Sequence, residues 1–84
     1  MNPAAAYSTS FKELDRLWAA PKGTAFRAFK RALPSLTEDR DFVRLDGMRD
    51  HIEIETLRAA GRIYPSSVHV VLLSATGVTR LRRP

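Results

Sequence analysis

Phe11, Leu14, Leu17 and Trp18 recur at helical spacing, with Lys12, Glu13, Asp15 and Arg16 filling the other positions. This pattern predicts a helix over residues 11–18. Ser10 and Glu13 fit a capping box at its start: the hydroxyl accepts from an orphan amide while the glutamate reaches back. Pro21 breaks the first helix and suits the opening turn of a second, which the spacing predicts over residues 21–33, ending at Pro34. On a helical projection Ala25, Phe26, Ala28, Phe29, Ala32 and Leu33 share one arc. Gly23, Thr24, Arg27, Lys30 and Arg31 share the opposite one. The segment "FVRL" reads as a short strand and the "DG" after it as a turn. The stretch 51–60 fits two patterns. "HIEIE" alternates as a strand does, whereas "LRAAG", with Gly61 just past the end, reads as helix followed by stop, and the helix is the favoured reading. "SVHVVLLS" is the strongest strand in the chain, and Ser74 is placed to cap a last helical turn through "ATGVTRL". Residues 1–9 carry no periodicity and read as a loose arm. Residues 10–84 read as one α+β domain.

Charge sharpens this outline. The 84 residues carry a formal net charge of +5, with a pI near 10.5. Lys22, Arg27, Lys30 and Arg31 form a block without an acid, and Arg80, Arg82 and Arg83 form another. Between them, seven acids lie in residues 38–55 beside Arg40, Arg44 and Arg49. This predicts a basic side and an acidic side. Like charges three and four apart on one helix face repel, so an external anion is the natural counterweight to Arg27, Lys30 and Arg31. A basic face on the second of two helices points to duplex DNA. Arg27 suits bidentate reading of guanine, and Lys22, Lys30 and Arg31 suit phosphates. Gly23 and Thr24 are small enough to let the backbone approach a phosphate at the helix start. Arg80, Arg82 and Arg83 suit an arm that follows the DNA backbone. Phe26, Phe29, Trp18 and Leu33 are assigned to the core.

Other chemistries find little here. Without cysteine there is no disulfide and no thiolate metal site. His51 and His69 are too few and too far apart for a zinc site, and the acidic loop "EDRD" lacks calcium-loop spacing and its glycine. Ser66, Ser67 and His69 have no orienting acid nearby. The chain is therefore expected to be no enzyme, to need no cofactor or metal, and to be cytoplasmic. No apolar run approaches a membrane span.

Three stretches carry a resemblance. "FKELDRLWAAPKGTAFRAFKRAL" resembles the DNA-reading helix pair of MerR-type and excisionase-type regulators, where a "KGT"-like stretch opens the second helix. The strand, intervening element and strand that follow are similar in order to a winged helix. "AFRAFKRALPSLTEDRDFVRL" resembles the "FxxWxxRR…EgxDF" stretch of phage antirepressor domains. "VHVVLLSATGVTRL" resembles the strand-then-"sGlyrL" ending of Bro-N-like domains. Pro21 departs from the usual Ser or Thr cap, and Phe29 stands at the antirepressor tryptophan position. The resemblance implies a winged helix-turn-helix regulator of phage or mobile-element type. It would bind double-stranded DNA as a homodimer, since one short helix reads too few base pairs. The alternative is a small phage-type inhibitor that binds a host polymerase, repressor or nuclease through its acidic side.

Overall fold

A computed structural model describes residues 7–81. Among these residues the chain runs through β1 (Tyr7–Ser10), α1 (Phe11–Leu17), α2 (Thr24–Ala32), β2 (Phe42–Leu45), α3 (His51–Ala59), β3 (Val70–Ser74) and α4 (Ala75–Arg80), with a 3-10 turn at Leu33–Ser35. Four helices thus accompany a three-stranded sheet in the order β1-β3-β2, antiparallel throughout. The fold class is α+β. No helix among the described residues is long and apolar enough to cross a membrane.

Local chemistry explains most boundaries. Ser10 and Glu13 form the expected capping box: Ser10 Oγ accepts from the Glu13 amide at 3.1 Å, and Glu13 Oε1 accepts from the Ser10 amide at 2.9 Å. The second helix begins three residues later than its periodicity predicts. Gly23 has φ 94°, a left-handed conformation that an α-helix cannot contain, so Pro21–Gly23 forms a turn and Thr24 opens the helix. Residues 51–59 are helical, as favoured. The Gly61 amide reaches Arg58 O and the Arg62 amide reaches Leu57 O, both at 3.0 Å, which closes α3 in a Schellman motif around the left-handed Gly61. Ser74 caps α4 by accepting from the Gly77 amide at 3.1 Å.

Two expectations change. Tyr7–Thr9 is not a loose arm: it belongs to β1, which pairs antiparallel with β3 through Tyr7↔Ser74, Thr9↔Leu73 and Ser10↔Leu72. Residues 1–6 of that predicted arm lie outside the described residues. The strong strand starts at Val70, because Ser67–His69 instead binds α3, through Ser67 O to Arg58, and the Gly47 turn, through the His69 ring.

Strand β3 is the centre of the molecule, and apolar nearly throughout because both of its faces are covered. Leu73 joins Leu14, Ala25, Phe29, Phe42 and Leu81 in one buried cluster under α1 and α2. Val70 and Leu72 join Leu45, Ile54, Leu57 and Ile63 in a second, under α3. Alternate residues of a strand point to opposite faces, so one short strand ties the helix pair to α3. Gly77 presses against the chain at Asp41, where an added Cβ would lie 1.9 Å from the Asp41 carbonyl oxygen.

Candidate nucleic-acid interface

The basic helix is held at its start by a carboxylate from the preceding helix. Asp15 of α1 is buried, and its two oxygens accept from the Gly23 amide at 3.1 Å and the Ala25 amide at 2.7 Å. The Tyr64 hydroxyl adds a third bond to Asp15 at 2.6 Å. Burial, then the hydrogen bond to Asp15, pushes the Tyr64 hydroxyl up to about 12, so it remains a proton donor. Helix α2 lacks a side-chain cap of its own, and Asp15 takes that role across the turn. Helical periodicity places Asp15 on the solvent face of α1. Its burial reflects a long-range bond that only the fold creates.

This corrects the expected use of Gly23 and Thr24. The Gly23 amide holds Asp15, the Thr24 amide donates to Pro21 O at 3.2 Å, and the Thr24 hydroxyl donates to the same carbonyl at 2.8 Å. Thr24 is buried. A phosphate therefore finds a carboxylate at the start of α2 in place of open amides. Gly23 has another role: an added Cβ would stand 3.1 Å from Arg27 Nη1, so its bareness gives the guanidinium room to lie across the turn.

The outward arc of α2 consists of Phe26, Lys30, Arg27 and Arg31, in that order around the helix, all exposed. The arc is turned by one position relative to the periodicity: Thr24 goes inward and Phe26 outward. Phe26 is 48% exposed, while Phe29 is 3% exposed and Ala25 is fully covered. Lys30 Nζ lies 5.6 Å from the Phe26 ring centroid, and Arg27 Nη2 is 3.5 Å from Thr24 Oγ1. Lys22 stands in the turn, its ammonium 4.9 Å from the Tyr64 ring centroid. Arg27 and Arg31 flank an open hollow beside Trp18, Pro21 and Thr24. Among the described residues no ion pair includes Lys22, Arg27, Lys30 or Arg31. These four predicted residues thus lie on and beside one helix as a cationic surface.

Arg80, the described member of the C-terminal basic block, does not join them in the same way. Arg80 Nε lies 3.4 Å from Asp41 Oδ1, and Arg40 Nη2 lies 2.9 Å from Asp41 Oδ2. Arg80 is thereby tied to a buried acid. Arg82 and Arg83 lie outside the described residues. Among the described residues no group of three or more histidines and carboxylates is placed to hold a metal ion. The acidic stretch is extensively self-paired: Glu38 with Arg44, Asp50 with Arg49, Glu55 with Arg58, and Asp41 with Arg40 and Arg80.

Compared with protein-family models, with curated proteins and with solved structures, the chain matches none.

Proposed function

We propose that the protein binds duplex DNA with sequence preference, placing α2 in the major groove as a regulator of phage or mobile-element type. The observation that carries this reading is the arc of Arg27, Lys30 and Arg31, exposed together and in no ion pair with a described carboxylate. The topology is compatible with a winged helix-turn-helix. The helix pair lies between an edge strand and β2, and the sheet order β1-β3-β2 places the last strand between them. The unit departs from a simple wing, because residues 46–69 carry α3 in place of a short hairpin. Arg27 reads a base edge, while Lys22, Lys30 and Arg31 hold phosphates. Two copies on paired half-sites supply the length of sequence that one helix cannot. The alternative, an inhibitor acting through the acidic side, draws less support, because so many of those acids are already matched by arginines of the same chain.

Selection of bound fragments from a random duplex library at moderate salt tests the proposal. An enriched motif is expected, with affinity that falls as salt rises because phosphate contacts release counterions. Recovery of unenriched fragments, or of none, overturns it.

A further inference from the structure

Phe26 and Arg31 mark the two edges of the outward arc of α2. On the Phe26 side, a cleft of about 390 Å³ opens between the helix pair, the sheet and the segment before β3. Its size falls in the range of small-molecule sites, roughly 300–1,000 Å³. Its lining is largely aromatic and aliphatic, with Phe11, Phe26, Ile63 and Val71 prominent. Phe11 bridges the outer and inner rings: its centroid lies 5.8 Å from that of Phe26 and 5.2 Å from that of Phe29. Phe26 is the exposed member of this aromatic row.

Cations outnumber carboxylates in the lining of the cleft. Lys12 of α1 and Lys22 of the following turn converge on a single ring, with ammonium groups 5.8 Å and 4.9 Å from the Tyr64 centroid. Arg44, which is paired with Glu38, and His69, whose Nδ1 accepts from the Gly47 amide, line the cleft from the sheet side. Asp15 is the one carboxylate in the lining, and three donors already satisfy it. Neither Lys12 nor Lys22 pairs with an acid among the described residues. The ring quadrupole draws both ammoniums in but cannot cancel their mutual repulsion. An anion beside the ring would offset that charge.

We infer that this cleft binds a small, flat, apolar molecule bearing one or two negative charges, such as an aromatic carboxylate, sulfonate or phosphate ester. Its rings lie against Phe11 and Phe26, and its charge is held by Lys12 and Lys22. The apolar lining selects the body and the converging ammoniums select the sign. A bare phosphate uses only the second, and a neutral hydrocarbon only the first.

The test needs no DNA, so its outcome is independent of the proposed function. The full chain is titrated with anilinonaphthalene sulfonate and, in parallel, with N-phenylnaphthylamine, a close analogue without the sulfonate. The anionic probe is expected to bind saturably, one per chain, and at least about tenfold tighter than the neutral one, as charged hydrogen bonds warrant. The variant carrying both Lys12→Ala and Lys22→Ala should lose that preference while keeping its affinity for the neutral probe. Phe26→Ala should weaken both probes. A cooperative thermal transition in every variant, without a shift of more than a few degrees, ensures that the folded protein is being read. Absence of saturable binding, equal affinity for the two probes, or a charge preference that survives removal of both lysines overturns the inference.

Discussion

Asp15 links two helices through one carboxylate. The Asp15 oxygens satisfy the orphan amides of α2 and the Tyr64 hydroxyl, in a buried site. Asp15→Asn keeps the shape but loses the charge and one acceptor. It is expected to cost about 1.5–3 kcal/mol in urea unfolding, the usual range for hydrogen bonds to a charged group. An unchanged midpoint would refute this role. Asp41, just before β2, works by the same means. Its hydrogen bond to Arg40 leads in holding the carboxyl down at about 2, with the Thr37 amide helping and burial opposing. A depressed carboxyl stabilises the fold above its unfolded value, 3.8, and that contribution is lost as pH falls toward about 2. Urea midpoints should therefore drop between about pH 4 and about pH 2 in the parent protein. Asp41→Asn should be weaker near neutrality and lose this component of the drop; an identical acid profile in the variant would refute the assignment. In sequence, Asp15 and Asp41 look like any solvated acids. The partners of Asp15 are brought by tertiary contacts such as the one to Tyr64, and those of Asp41, Arg40 and the Thr37 amide, are near in sequence but are brought to it only by the turn before β2.

Helix-level features were far more legible. The capping box at Ser10, the stop at Gly61 and the cap at Ser74 are all short-range chemistry, so the sequence pattern locates α1, the end of α3 and the start of α4. The facing of α2 was less so. Periodicity fixes the width of an apolar arc but not its rotation, and Ala25 and Ala28 are too small to decide it. Packing does: Phe29 makes an edge-on contact with Phe42 at 5.0 Å, which draws Thr24 inward and leaves Phe26 outside. Phe29→Ala should then cost about 3–5 kcal/mol, as a buried phenylalanine does. Phe26→Ala should cost clearly less, because about half of that ring stays wet when folded. Equal losses in urea would mean that the helix is rotated back. Under the proposed DNA-binding reading, the outward arc divides its labour. Arg27→Ala should lower duplex affinity by about 1–3 kcal/mol on a preferred site and relax the preference at one base pair. Lys30→Ala should weaken matched and scrambled duplexes alike and reduce the slope of log affinity against log salt by about one. Binding isotherms for both variants across a salt series separate the two; identical, sequence-independent losses would reduce α2 to a non-specific basic rod.

The sheet order belongs to the molecule as a whole, and no local pattern announces it. Tyr7 pairs with Ser74 across nearly the full length of the chain, and β2 reaches β3 only around α3. Short polar β1 carries no alternation to mark it as a strand, and the partners of its Tyr7 and Ser10 side chains lie far along the chain. The charge blocks, by contrast, were visible from the start, but only the fold separates the cations that are tied to acids, such as Arg80, from those left on α2. The meeting of Gly77 with the Asp41 carbonyl has a different kind of consequence. It makes one position intolerant of any alternative, because an obstacle of backbone cannot swing aside as a side chain does. If every amino acid were placed at position 77 and the pool sorted for intact, soluble protein, glycine alone should survive. At Gly61, left-handed but with nothing within 4 Å of an added Cβ, asparagine and aspartate should survive beside it. The two glycines, alike in the written chain, would leave opposite signatures in such a census: one a fixed letter, the other a small alphabet.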